Sequence, residues 1–143
     1  ETKDIHDDSY HFEWGKAEVL RQGSDVTIFA TGIMTAKALD AAETLAKQGV
    51  QAEVINVHTI KPLDEETVIA SAKKTGKVVT AEEHSIIGGL GSAVAEVLAR
   101  QCPTKQAFVG VQDSFGESGS PNDLLEKYGL TTEAIVKAAV GLQ

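Results

Sequence analysis

The residues of this chain best suited to chemistry stand close together. Glu82, Glu83 and His84 are followed by a glycine-rich run at Gly88, Gly89 and Gly91. An acid beside an imidazole, as in Glu83-His84, could form an oriented acid/base pair. Glycines that open a helix could cradle a phosphate. Neither phosphate pattern is complete, however. A dinucleotide fingerprint needs a third glycine three residues after the second, and Val94 fills that place after Gly91. A P-loop needs lysine followed by serine or threonine after its glycines, and none follows. Two carboxylates ahead of the turn would also repel a phosphate. Close backbone packing is the expected use of the glycines.

His58, at the end of another predicted strand, and Asp113 and Glu117, in a polar loop, are expected to surround the same crevice. Nothing supplies an obvious nucleophile with its base, and no His-x-x-x-His pair offers two zinc ligands from one helix face. The crevice of His58, Glu82, Glu83, His84, Gly88, Gly89, Gly91, Asp113 and Glu117 therefore reads as a ligand crevice or a subunit contact. No residue is assigned as catalytic, cofactor-binding or metal-binding. The loop from Asp113 to Pro121 carries Phe115, two acids and many turn residues. It reads as a partner-binding loop or as a surface turn into a helix capped by Ser120 or Asn122.

Strands and helices must alternate to position these groups. Tyr10, Phe12 and Trp14 alternate within a polar, acidic opening and predict an extended arm. Lys16 to Leu20 and Asp25 to Ala30 flank Gln22-Gly23-Ser24 and predict a hairpin. Val26, Ile28 and Ala30 would share one strand face, with Thr27 and Phe29 on the other, so this strand should be central. Ala38, Leu39, Ala42, Leu45 and Ala46 repeat at helical spacing before Gly49. Ala52 to Val57 predicts a strand, His58 to Leu63 a connection, and Asp64 to Lys74 a helix with acids first and lysines last. Lys77 to Glu82 is the next strand, Gly91 to Arg100 its helix, and Ala107 to Val111 another strand. A short helical piece around Asp123 to Tyr128 and a last helix capped by Thr131 or Thr132 complete the chain. The expected fold is α/β, a three-layer αβα sandwich on a mainly parallel sheet of about five strands. Residues 1–15 form an arm or linker from a preceding domain, and residues 16–143 the domain itself.

Composition limits the function classes. The 143 residues suit one domain, and a net charge of −8 disfavours nucleic acid and anionic membranes as partners. No apolar run is long enough to span a bilayer. The single cysteine, Cys102, rules out an internal disulfide and fits a reduced, cytoplasmic setting. It reads as a small buried residue rather than a nucleophile. The chain opens on Glu1 and its one methionine is Met34, so it is expected to be processed or cut from something longer.

Several stretches together resemble the carboxy-terminal domain of the transketolase family. They are Val26 to Gly32, His58-Thr59-Ile60-Lys61-Pro62-Leu63-Asp64, Thr80 to His84, Gly88 to Val94 and Asp113 to Gly119, with Trp14-Gly15-Lys16-Ala17 as the lead-in. The resemblance runs from about Tyr10 to the end. It is nearest to transketolase itself, especially the carboxy-terminal subunit of split forms. Deoxyxylulose-phosphate synthase and the β subunits of 2-oxo-acid dehydrogenases share much of it.

This resemblance implies the third domain of an enzyme whose first two bind thiamine diphosphate and magnesium at a dimer interface. Such an enzyme moves a two-carbon ketol unit between sugar phosphates, as in the pentose phosphate pathway. The Gly-Asp-Gly signature of the family's metal site is missing here. The implied role is dimer assembly, with no activity in the isolated chain and none of the cofactor bound by it. The implied partners are the diphosphate- and pyrimidine-binding domains, or a separate amino-terminal subunit, and a second copy in a homodimer. A partner-docking module, as in 2-oxo-acid dehydrogenases or deoxyxylulose-phosphate synthase, and a regulatory small-ligand module are the alternatives.

Overall fold

A computed structural model describes residues 15–85, 88–111 and 129–143, with only the backbone at 84 and 85. Five strands form one sheet: β1 (Glu18–Arg21), β2 (Val26–Ala30), β3 (Ala52–Asn56), β4 (Lys77–Ser85) and β5 (Lys105–Val111). The helices are α1 (Met34–Lys47), α2 (Glu65–Thr75), α3 (Leu90–Gln101) and α4 (Thr132–Gly141). The strand order is β1-β3-β2-β4-β5. Every pair is parallel except β1 with β3, which is antiparallel. This is the expected α/β sandwich with a mainly parallel sheet.

Strand alternation sorts the core into two layers. Val26, Ile28 and Ala30 of β2 face one way with Val79 and Ala81, and α1 and α4 cover them through Ala38, Ala42, Leu45, Ile135 and Ala139. Phe29 faces the other way with Ile55 and Val78, under Val68 of α2 and Val94 and Leu98 of α3. All five β2 residues are buried, as a central strand in such a fold requires. The helix ends follow the chemistry of their sequences. Thr131 accepts the Ala134 N–H at 3.1 Å to start α4, and Gly76 ends α2 with φ 73°.

The predicted hairpin between the first two strands does not form. β1 pairs with β3, and β2 lies beyond β3 in the sheet. Gly23 is not a hairpin turn but the point where the chain passes over the start of β3 on its way to the far side of that strand. A Cβ there would lie 2.5 Å from the Glu53 nitrogen and 2.6 Å from the Ala52 oxygen. The close approach lets the Gly23 N–H donate to the Glu53 carboxylate at 3.2 Å.

That carboxylate belongs to a buried polar network absent from the sequence reading. Glu53 is 4% exposed. It accepts from Lys74 Nζ at 2.6 Å and from Ser71 Oγ at 2.7 Å. Ser71 lies 2.7 Å from Thr27 Oγ1, which also lies 2.8 Å from Thr75 Oγ1. The network pins α2 to β2 and β3. Burial raises the pKa of Glu53, but Lys74, Ser71 and the Gly23 N–H outweigh it and hold the carboxyl below its usual 4.5. Asp64, the cap of α2, behaves alike. Burial raises its pKa, while the N–H of Ala17, the hydroxyl and N–H of Thr67, and Lys16 together hold it below 3.8.

The sign of the pH dependence follows. Both folded pKa values lie below the unfolded ones, so the stabilisation is fully present above the unfolded values and is lost as pH falls through the folded ones. From these two groups, the urea midpoint is expected to hold level from neutral pH to about pH 5 and to drop below roughly pH 4.5. Glu53→Gln should be less stable at neutral pH and lose less on acidification. A wild-type midpoint unchanged at pH 3.5, or an identical slope in the variant, would contradict this assignment.

Candidate functional site

The strand β4 carries the acids, and its alternation sends them to opposite sides of the sheet. Ala81 packs in the α1/α4 layer, so Glu82 points to the α2/α3 layer and Glu83 back toward α1. Glu82 is 1% exposed. Its Oε1 accepts the Leu90 N–H at 2.7 Å and its Oε2 the Gly91 N–H at 2.8 Å. The helix α3 has no cap from its own N-cap residue Gly89. Glu82 supplies one from the neighbouring strand, its negative charge sitting at the positive end of the helix.

Glu83 serves the other layer. Its Oε1 lies 3.5 Å from the Ile33 N–H at the start of α1, whose N-cap Ile33 likewise makes no side-chain cap. A Cβ at Gly32 would come within 2.5 Å of that same oxygen. The place matters, because β2 connects to β3 on one side and β4 lies on the other. The carboxyl ends of β2 and β4 form the switch point where open α/β sheets commonly take ligands. In this chain Glu83 reaches into it. Consecutive acids thus tie two helix starts on opposite faces to one strand.

The glycine turn follows the same logic. Gly88, with φ 79°, directs its N–H to Ser92 Oγ at 3.0 Å. At Gly91 a Cβ would lie 2.6 Å from Phe108 Cδ2 and 3.1 Å from Thr80 Oγ1. Gln106 closes the arrangement, its Nε2 donating to Thr80 Oγ1 and to the Gly91 carbonyl, both at 3.1 Å. Glycine is needed here for close approach of helix to sheet, as the sequence predicts. Of these, the sequence marks Thr80 only as the first residue of a quoted stretch, and Gln106 and Phe108 not at all. A threonine and a glutamine inside otherwise apolar strands are the signal that could have found them.

The predicted crevice is therefore split. Glu82 and Glu83 point to opposite faces of the sheet, and His58 stands beyond β3, with β2 between β3 and β4. His58 Nε2 lies 3.6 Å from Glu18 Oε1 on β1 instead. The His84 side chain, Asp113 and Glu117 lie outside the described residues, as do Tyr10, Phe12, Trp14 and the short helical piece around Asp123 to Tyr128. What does converge is two of the quoted stretches. Ile60, Lys61, Pro62 and Leu63 face Gly88, Gly89, Ser92 and Ala93 across an open cleft of about 420 Å³. The Lys61–Pro62 peptide is cis.

The described residues do not fit a thiamine diphosphate and magnesium site. No group of three His, Cys, Asp or Glu among them could hold a metal ion. The α3 N–H groups that might receive a diphosphate are taken by Glu82. No described helix is long and apolar enough to cross a membrane.

Comparison with known proteins agrees with the fold. The transketolase C-terminal domain family model matches residues 15–135. The 6-deoxy-6-sulfo-D-fructose transketolase subunit of Clostridium sp. (strain MSTE9) is 60% identical over 135 residues, 94% of this chain and 42% of its own length. The 1-deoxy-D-xylulose-5-phosphate synthase of Desulforudis audaxviator (strain MP104C) is 45% identical over 127 residues, 87% of this chain and 20% of its own. A solved split-gene transketolase, described as an inactive β4 tetramer, superposes with a TM-score of 0.93 and 52% identity. It covers 99% of this chain and 46% of that one. The chain spans less than half the length of each of these relatives. Over the greater part of its length, the chain belongs to the transketolase C-terminal domain family.

Proposed function

We propose that this chain is the carboxy-terminal domain of a thiamine-diphosphate-dependent ketol transferase, in one chain with the cofactor-binding domains or as a separate subunit. It supports assembly of that enzyme, as a homodimer or larger oligomer, and has no activity by itself. One observation carries the reading: the acids best suited to chemistry are already committed to structure. Glu82 holds the start of α3 through two short bonds, and Glu83 leans on that of α1 through one long contact of 3.5 Å. The chemistry then belongs to groups on other domains, where the cofactor supplies the carbanion and the protein orients it. The relative at 60% identity favours a 6-deoxy-6-sulfo ketose as donor. The synthase relative favours a second reading, formation of a deoxyxylulose phosphate by the same class of enzyme.

Calorimetric titration with thiamine diphosphate and magnesium tests the division of labour. The chain alone should give no binding heat, and adding the amino-terminal portion of the enzyme should restore both binding and ketol transfer. Donors bearing a 6-phosphate or a 6-sulfo group then separate the substrate readings. Pyruvate as donor, with deoxyxylulose phosphate formed, would select the synthase. Tight cofactor binding by this chain alone would sink the proposal.

A further inference from the structure

β1 has little packing to hold it in the sheet. It pairs with β3 alone, on the outer edge, and its register shifts between Val19 and Arg21. None of its four residues is buried, and Val19 is 41% exposed. The opposite edge strand, β5, is seven residues long and sends buried Val109 into the core. Arg21 adds a burden to β1. Its Nε is buried with no hydrogen-bond partner among the described residues, a cost that release into water would recover.

Beyond its ladder, what fastens this strand is carboxylates. Just before it, the Ala17 N–H donates to Asp64 Oδ2 at 2.9 Å. Within it, Glu18 Oε1 lies 3.6 Å from His58 Nε2, an ion pair while Glu18 is ionised and His58 protonated. Just after it, the Gly23 N–H donates to Glu53 Oε1 at 3.2 Å. Lys74 Nζ donates both to that oxygen, at 2.6 Å, and to Gln22 Oε1, at 2.8 Å. Lys16 and Thr67 also face Asp64, and Ser71 also faces Glu53. At β5 the fastening is an uncharged amide, Gln106, which donates to Thr80 and to the Gly91 carbonyl.

We propose that residues 17–23 form a strap latched to the sheet by Asp64, Glu18 and Glu53, and that acid releases the strap from β3 while the rest of the domain stays folded. Neutralising a carboxylate weakens every bond it accepts and removes its attraction for Lys16, Lys74 or His58. Asp64 and Glu53 are held below their usual 3.8 and 4.5, so these latches are complete above those values and open as the pH falls beneath them. Protonation of His58 works the other way, tightening its pair with Glu18 until Glu18 is itself neutralised. Segments with few buried apolar contacts open separately from the core, and here opening also returns Arg21 to water. The released strap bares the outer edge of β3, whose free N–H and C=O groups can pair with another strand.

Hydrogen exchange of the whole chain, expressed as protection factors at about pH 7 and about pH 3.5, tests this. At neutral pH the amides that join β1 to β3 should be protected about tenfold less than those of β5 and α4, because they open without the rest. In acid their protection should fall below about tenfold, while β5 and α4 keep about a hundredfold or more. Glu53→Gln combined with Asp64→Asn should lower β1 protection at neutral pH by about tenfold, and acid should then lower it little further. Asp64→Asn alone keeps a capping residue for α2 and should show part of the same loss, so the test stands if the double variant does not fold. Loss of protection by β1, β5 and α4 together at one pH would overturn the proposal. So would β1 protection that acid leaves unchanged, or a double variant as acid-sensitive as wild type.

Discussion

Replacing Glu82 with alanine is expected to destabilise the chain by about 3–5 kcal/mol. The carboxylate is 1% exposed and receives two short bonds, from the Leu90 and Gly91 N–H groups. Each is a bond to a charged acceptor, worth about 1.5–3 kcal/mol. Their loss leaves two N–H groups facing a dry pocket, since Leu90 is fully buried and Gly91 is buried too. Glu82 is the side chain seen to cap α3 among the described residues, so its first turn should fray. Glu82→Gln separates charge from shape. It keeps one acceptor but points an NH₂ at the other N–H, and should cost about 2–3 kcal/mol. Glu83→Gln is the internal comparison. Its contact with Ile33 is long, at 3.5 Å, and the residue is only half-buried, so about 1 kcal/mol or less is expected. Urea denaturation of the three variants measures this order directly. A Glu82→Ala variant within 1 kcal/mol of wild type would remove the capping role.

Gly23→Ala should rank beside it, at roughly 3 kcal/mol. The new methyl would press on the backbone of Ala52 and Glu53, and backbone inside a sheet has nowhere to go. The crossing from β1 to β2 would have to lift. That would lengthen the Gly23 N–H bond to Glu53 and disturb the carboxylate that Lys74 and Ser71 share. Gly91→Ala looks similar by distance but should cost less, about 1–2 kcal/mol. There the obstacle is the Phe108 ring, on the edge strand β5 and 37% exposed, which can swing outward. Thermal melts of the two variants, with hydrogen exchange of the β3 amides, distinguish them. The idea fails if Gly91→Ala proves the more damaging or if the Ala52 and Glu53 amides keep their protection in Gly23→Ala.

These two results bear on the function as well as on stability. Acids and glycines at the carboxyl ends of parallel strands usually draw attention as ligand-binding groups. Here Glu82, Glu83 and Gly91 bring helix starts against the sheet, and Gly23 lets the connection from β1 to β2 pass over the start of β3. That agrees with a family in which this domain makes up less than half of each relative compared above.

The sequence by itself determined the type and order of the helices and strands among the described residues, though not all their bounds, because each rests on local signals. Three-residue and four-residue spacing marked α1, apolar residues on both faces marked β2, a β-branched run marked β4, and the acids from Asp64 and the pair Thr131-Thr132 marked the starts of α2 and α4. It also determined the family, through several motifs in fixed order. Two matters were decided only by tertiary structure. One was partnership among strands: Gln22-Gly23-Ser24 reads as a hairpin turn, but pairing β1 to β3 is a choice between distant segments. The other was the use of the polar residues. Side chains alternate along β4, so neighbours in sequence part to opposite faces, and Glu82 meets α3 while Glu83 meets α1. Glu53 passed unnoticed in an apolar strand because its partners Lys74, Ser71 and Gly23 are 18 to 30 residues away. Residue type is written locally, but whether a carboxylate reacts, binds or caps depends on which N–H groups the fold brings to it.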